Sequence, residues 1–446
     1  MTQREELCKK VLAEVKDKKI QFIELWFVDL LGFLKCISIT SGELEEVLRR
    51  GKGFDGSSIT GYAEIEESDI VALPDPSTFC ILPYVPQDQP SARMFCDIYY
   101  PDGRPYDGDP RLALKKQMER AREMGYIYNV GPEVEFFYFK TSQIPELLDK
   151  GGYFDVVAVE TANALRRETV ELLEQMGIQV EAIHHEVSAS QHEFDLKYGD
   201  ALTIADALIT TRLVTKEVAQ KHGFYATFMP KPIYGVNGSG LHVHQSLFSI
   251  RENRNAFYDP SDPYNLSIVA KRFIAGQLKH AREICSLVAQ WVNSYKRLVP
   301  GYEAPVYVSW AQKNRTTMIR VPAYRPDGGA SIRAEFRVPD PAMNPYLGFA
   351  VMLAAGLEGI EKGYELPPPV EANVYEMSKE EREERGIPDL PVDLFEAISE
   401  TRKSELVKRT LGEHIFTRFI TNKLNEWEVY RAQVTSFELE KYLPIL

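Results

Sequence analysis

Cysteine is scarce in this chain. Five occur among 446 residues (Cys8, Cys36, Cys80, Cys96 and Cys285), an odd number, widely spaced and without a CxxC pair. That argues against a disulfide framework and a thiolate metal site, and fits a reducing compartment. Long apolar runs are also missing: the longest, residues 347–357, falls far short of the ~20 residues a membrane span needs. Residues 1–19 alternate charge and contain no signal-peptide-like apolar stretch, so the expected location is the cytoplasm. Positive charge is in deficit, 52 Lys and Arg against 65 Asp and Glu, a net −13. A field of that sign repels polyanions and argues against nucleic acid or an anionic membrane as partner. Neither GxxxxGK[ST] nor a kinase-type GxGxxG occurs, which excludes P-loop NTPases and protein kinases.

What is present is globular material, 44% hydrophobic and 26% charged, long enough to bury a core without staples. Residues 20–40 read as two β-rich runs around Asp29-Leu30-Leu31-Gly32, a hairpin. Lys52-Gly53-Phe54-Asp55-Gly56-Ser57-Ser58 is a glycine-punctuated loop. Residues 101–110 (PDGRPYDGDP) form a boundary, after which Asp109-Pro110 caps and opens a helix that stops at Gly125. Further helices are expected near 160–176, 203–222, 268–288, 344–362 and 415–430. Strands are expected near 128–139, 179–187, 191–198, 224–229, 240–248, 305–310, 316–321 and 332–338. The fold class is α+β: a small β-rich domain, residues 1–105, before a large mixed domain, 106–446.

Alternate residues of a strand share a face. In Val130-Gly131-Pro132-Glu133-Val134-Glu135-Phe136-Phe137-Tyr138-Phe139, one face carries Glu133 and Glu135 and then turns aromatic. Two carboxylates side by side on a partly buried face repel unless a cation lies between them. Six of the eight histidines fall between positions 184 and 244. They sit in His184-His185-Glu186, in Gln191-His192-Glu193, at His222, and in Asn237-Gly238-Ser239-Gly240-Leu241-His242-Val243-His244. Arg333, Glu335 and Arg337 share another strand face, with Arg297, Arg315 and Arg320 upstream. Oxygen-rich ligand sets favour Mg²⁺ or Mn²⁺ over zinc. Planar guanidiniums suit carboxylates and phosphates. The residues alone point to a metal-dependent phosphoryl-transfer enzyme built on strands.

The same motifs carry a resemblance. Phe54-Asp55-Gly56-Ser57-Ser58, Gly131-Pro132-Glu133-Val134-Glu135-Phe136-Phe137, Gly151-Gly152-Tyr153-Phe154 and His184-His185-Glu186 resemble type I glutamine synthetases, the short form of archaeal and Gram-positive members. So do Lys231-Pro232, Asn237-Gly238-Ser239-Gly240-Leu241-His242, residues 293–305 (NSYKRLVPGYEAP) and residues 340–346 (DPAMNPY). The resemblance spans essentially the whole chain. It implies an N-terminal β-grasp domain and a catalytic α/β domain with an antiparallel sheet lining the site. It further implies a dodecamer of two stacked hexamers, with the Asp55 loop completing a neighbour's site and residues 437–443 forming a ring-contact tail.

The resemblance also implies roles. Glu135, Glu186 and Glu193 would hold one divalent ion and Glu133, His242 and Glu335 another, with two or more Mg²⁺ (or Mn²⁺) ions per site and ATP as substrate. Asn237, Gly238, Arg297 and Arg337 would bind glutamate. Glu181, His244, Ser246, Arg315, Arg320 and Arg333 would surround ATP. Asp55, Tyr153, Glu186 and Glu303 would hold ammonium, with Asp55 taking its proton and the Glu303 loop excluding water. The expected reaction is ATP-dependent ligation of ammonia to the γ-carboxylate of glutamate through γ-glutamyl phosphate, in nitrogen assimilation. A PII-type regulatory protein is a candidate partner.

Three positions depart from the family pattern. Ser188-Ala189-Ser190 replaces an Ala-Pro stretch, residues 322–331 (PAYRPDGGAS) look longer than usual, and Glu64 stands where relatives place a feedback arginine. Tyr375 resembles a tyrosine that some enterobacterial relatives adenylylate, but here it is read as an ordinary loop residue. Rival readings are an amine-specific γ-glutamyl ligase, a non-catalytic structural relative, and an unrelated metal-dependent hydrolase.

Overall fold

The computed structural model describes all of the chain except residues 1, 62–68, 87, 157–159 and 324–328. Glu64 and much of the 322–331 loop therefore lie outside the described residues. The expected hairpin is β1 (Phe22–Val28) paired antiparallel with β2 (Leu34–Thr40). Its turn is built by Asp29, whose Oδ1 accepts from the N–H groups of Leu31 at 3.0 Å and Phe33 at 2.9 Å. Gly32 supplies the left-handed residue, φ +84°. With β3 (Lys52–Asp55), β4 (Asp69–Pro74), β5 (Cys80–Ile81) and β6 (Ser91–Tyr99), this makes a six-stranded sheet in the order β2-β1-β6-β4-β3, β5 lying on β6. The β1–β6 pair is parallel.

Period-two alternation divides β1 between two cores. Ile23, Leu25 and Phe27 pack with Val11, Val15, Val47 and Leu48 of the helices Gln3–Asp17 and Leu44–Arg50. Trp26 and Val28 belong to the main core of the molecule. Two polar ties fasten this sheet to the rest. Buried Arg111 meets Asp97 at 2.6 Å, Asp75 at 3.2 Å and Asp206 at 3.0 Å, joining two parts of the N-terminal sheet to the helix Ala201–Lys221. Asn344 Nδ2 donates to the carbonyls of Asp29 and Leu30 while its Oδ1 caps the helix Pro345–Lys362.

The second sheet has ten strands. They are β7 (Tyr126–Phe139), β8 (Val180–His185), β9 (Gln191–Leu196), β10 (Gly199–Asp200), β11 (Tyr225–Thr227), β12 (Leu241–Ser249), β13 (Arg254–Asn255), β14 (Trp310–Ala311), β15 (Ile319–Arg320) and β16 (Ala334–Phe336). Their main order is β14-β15-β16-β12-β7-β9-β8, antiparallel except for β14–β15. The even-numbered residues of β7, Val130, Val134, Phe136 and Tyr138, are buried on the side covered by the helices Pro110–Glu123 and Ala201–Lys221. The odd-numbered glutamates are left on the other face.

Several elements differ from expectation. The helix expected over 268–288 breaks at His280 into Ile268–Lys279 and Ala281–Val288. The helix expected over 415–430 begins earlier, within Glu405–Arg431, which kinks at Gly412 with φ +77°. The last three expected strands shrink to two or three residues each, in segments punctuated by Pro305, Pro322 and Pro339, which have no N–H to donate. The C-terminal segment forms the helix Ser436–Tyr442, with Phe437, Leu439 and Leu443 exposed.

Candidate active site

Register brings the charged residues together in three rows across the sheet. Glu135 of β7 faces Glu193 of β9, which faces His184 of β8. One step along, His242 of β12 faces Glu133, which faces Asp195. Next, Arg320 of β15 faces Glu335 of β16, which faces His244. Glu135 and Glu193, and Glu133 and Asp195, become direct cross-strand neighbours, and Glu335 reaches His242 on the adjacent strand and Glu133 two strands away.

All of the residues in these rows except His244 line a cavity of about 320 Å³, together with Tyr153, Glu186, Asn237, Gly238, Arg297, Tyr302, Glu303, Arg315 and Arg337. Buried Arg297 donates to the backbone carbonyls of Val338 (2.8 Å) and Arg337 (3.1 Å), which fixes its guanidinium at the cavity wall. Arg320 Nε reaches Glu335 at 2.5 Å, and Arg337 pairs with the other oxygen of the same carboxylate. Asn237 Nδ2 donates to Glu303 at 2.9 Å. Glu303 itself holds a left-handed backbone, φ +57°, a strained conformation of the kind found at functional loops. Gly240 allows the close approach behind them: its N–H donates to Glu135 at 2.9 Å. A Cβ there would come within 2.7 Å of Arg297 Nη2 and 2.8 Å of His242 Nε2.

The electrostatics divide the acids. Burial works against ionised Glu335, yet Arg337 outweighs it and holds the carboxyl down at about 2. Burial also opposes ionised Glu133, but His242 (3.2 Å) and His244 (2.7 Å) keep it well below its ordinary value. Glu135 goes the other way, pushed up to about 8 by burial and then by Glu186. Glu193 is raised well above its usual range by burial and by Glu135 and Glu133, and burial likewise raises Asp195. Acids raised in this way are short of positive charge. Ligand atoms of Glu133, His242 and Glu335 lie within 4.8 Å of one another, as do those of His184, Glu193 and Asp195. Such oxygen-rich, charge-deficient sets fit divalent cations.

Two models of one family match the chain. "Glutamine synthetase, beta-Grasp domain" covers residues 19–101 and "Glutamine synthetase, catalytic domain" covers residues 107–442. The chain belongs to the glutamine synthetase family. It is an enzyme, an ATP-dependent ligase that forms glutamine. It is 50% identical over 440 residues to a glutamine synthetase of Methanosarcina mazei, covering 98% of this chain and 97% of that one. It is 48% identical over 433 residues to one of Thermotoga maritima, covering 96% and 98%. A solved structure of a GmaS/ADP complex superposes with a TM-score of 0.88 at 30% identity, covering 97% of this chain and 99% of that one. Members of the family are generally oligomeric and use ATP and a divalent metal. Among the described residues no helix is long and apolar enough to cross a membrane.

The synthetase residues expected from sequence fall into three groups. Glu133, Glu135, Tyr153, Glu186, Glu193, Asn237, Gly238, His242, Arg297, Glu303, Arg315, Arg320, Glu335 and Arg337 line the cavity. His244 and Arg333 stand just behind it. The Nε of Arg333 donates to His244 Nδ1 at 3.0 Å, and this sets the tautomer in which His244 Nε2–H meets Glu133. Ser246 lies one step further along β12, opposite Asn129. Glu181 is exposed at a β-bulge in β8, where the register shifts between Val180 and Ala182, so it does not line the cavity. Asp55 ends β3, outside its own chain's cavity lining. Its Oδ1 accepts from the Ser57 hydroxyl (2.7 Å) and N–H (2.8 Å), which hold the carboxyl below its ordinary value.

The sequence reading did not assign Asp195, His184, Gln191 or Tyr302 to the site. Asp195 carried a usable signal, since it follows Glu193 by two on the same strand. Tyr375 is half-buried, and its hydroxyl donates to the Ala304 carbonyl at 2.5 Å, directly beside Glu303.

Proposed function

We propose that this cavity binds glutamate, ATP and two or more Mg²⁺ or Mn²⁺ ions, and that ammonium is completed by a neighbouring subunit. The observation that carries the reading is the meeting of Glu133, Glu135, Glu193, His242 and Glu335 with Arg297, Arg320 and Arg337 around one space. Glu133, His242 and Glu335 would hold one ion. Glu135, Glu186 and Glu193 would hold the other, with His184 and Asp195 adjacent. When bound, these ions supply the positive charge that offsets the transferring phosphoryl group.

Arg297, with Asn237 and Gly238, orients glutamate with its γ-carboxylate toward the acidic floor. Arg315 and Arg320 stand where negative charge accumulates on the phosphoryl oxygens, and His244, Ser246 and Arg333 are placed for the rest of ATP. The γ-phosphoryl group passes to the γ-carboxylate oxygen, giving γ-glutamyl phosphate and ADP. Asp55 from the next subunit, with Tyr153, Glu186 and Glu303, holds ammonium and takes one proton. The freed ammonia attacks the acyl carbon and phosphate leaves, giving glutamine. Glu303 on its strained loop keeps water from the acyl phosphate. Glu181 keeps an ATP role only if the bulge in β8 turns it inward on binding.

The location of Asp55 outside its own cavity and the exposed apolar side chains of the C-terminal helix support the dodecamer of two stacked hexamers. The boundary near residue 105, a cytoplasmic setting supported by five free cysteines, nitrogen assimilation and regulation by a PII-type protein complete the reading. The test is phosphate release with glutamate, ammonium, ATP and Mg²⁺, each omitted in turn. Release must require all four. Preference for an amine over ammonium would reassign the substrate, and turnover without ATP would overturn the reading.

A further inference from the structure

A second cluster of acid and imidazole lies behind the cavity wall. Asp149, fully buried, faces His185 Nε2 at 2.7 Å and the N–H groups of Gly151 at 3.0 Å and Ser190 at 3.1 Å. His192 Nε2 stands 3.4 Å from its other oxygen. All three hydrogen bonds to the Asp149 carboxylate fall on Oδ1. Arg166 Nη1 lies 3.2 Å from His192 Nδ1, and an arginine can only donate, so the proton of His192 is on Nε2, pointing at Asp149. His185 has acceptors at both ends, Asp149 at Nε2 and the Glu186 carbonyl at Nδ1 (2.7 Å), so it carries both protons. Each ring thus presents a proton, rather than a lone pair, to Asp149.

The cluster joins two walls of the cavity. The His185 proton holds the main chain of Glu186, while Gly151 leads within two residues to Tyr153. The His185 carbonyl takes the N–H of Phe154 at 3.0 Å, and Ser190 is held at φ +64° with its Oγ accepting from Leu148 and Asp149. We infer that Asp149 is a positioning residue which, through His185 and Gly151, sets the spacing between Glu186 and Tyr153. It rests on the proposed roles of those two residues and extends them to a carboxylate that touches no substrate.

The test compares Asp149→Asn and His185→Gln with the unaltered protein. Folding is followed by circular dichroism, Mn²⁺ affinity by electron paramagnetic resonance, and KM separately for ammonium and ATP. Loss of a partner behind a metal ligand weakens binding by about 10–100-fold. The expected result is a loss in that range in Mn²⁺ affinity and a matching rise in the ammonium KM, with the ATP KM within about twofold, and partial recovery in Asp149→Glu. Folded variants with unchanged Mn²⁺ affinity and ammonium KM would overturn the inference. So would failure of both variants to fold, which would make the cluster a stability element. If the unaltered protein forms no glutamine, the functional reading fails, while Mn²⁺ affinity still decides the role of Asp149.

Discussion

Two acid–imidazole clusters lie close together on β8 and β9 and behave oppositely. Around Asp149, one carboxylate oxygen accepts from three donors, and the carboxyl is held below the ordinary range against the cost of burial. On the sheet face, Glu135, Glu193 and Asp195 have too few donors, and burial lifts all three. A carboxylate held down by its own donors is part of the scaffold, whereas carboxylates left short of charge are prepared for a cation from outside. The same residue types thus do different work according to their donor count.

The sharpest way to break this contrast is Glu135→Gln. We expect kcat/KM to fall on the order of 10³-fold, about 4 kcal/mol of transition-state stabilisation. Thermal stability of the metal-free protein should hold or rise, because a repelled buried acid is removed. An equal loss of stability, as expected for Asp149→Asn, would erase the distinction.

Next comes the response to metal and pH. The Glu135 carboxyl sits near 8 when folded, above its unfolded value, so its contribution to stability is complete in acid and fades as pH rises through about 8. Bound Mg²⁺ competes with that proton, so affinity and thermal stabilisation should both grow between pH 6 and pH 8, with proton release on binding. At a hundredfold excess over Kd the gain is about 2.7 kcal/mol. Calorimetric melts with and without Mg²⁺ check this, and stabilisation that weakens with rising pH would contradict it.

Asn344→Ala probes the scaffold alone. Losing the helix cap and the donations to Asp29 and Leu30 should cost about 1–2 kcal/mol in urea unfolding without changing the Mg²⁺ response. The smallest effect is expected of Tyr375→Phe, about 0.5–1.5 kcal/mol for one hydrogen bond, read as a modest change in the ammonium KM through the Glu303 loop. An unaltered KM would detach Tyr375 from that loop.

Much of this was legible in sequence because it is local. The β1–β2 turn is written in Asp29 and Gly32, the helix start in Asp109-Pro110, and the glutamate face of β7 in period-two alternation. His242 and His244 could be placed on one face for the same reason. What stayed hidden depends on register or distant pairing. Asp149 lies 36 positions from His185, and nothing local marks the partnership. Glu181, named by the resemblance alone, is the residue that the register of β8 skips. His280 ends a helix whose apolar pattern continues on the other side. The motif resemblance brought in Asp55, which no pattern within one chain connects to the cavity.

The central claim is that the sheet face carrying Glu133, Glu135, Glu193 and Glu335 is a seat for divalent cations. Calorimetric titration of the metal-free protein with Mn²⁺ tests it most directly, because it counts ions without needing turnover. The account predicts saturable binding of at least two ions per chain, with one lost in Glu193→Gln. Absence of saturable binding, or an unchanged count in that variant, would contradict it.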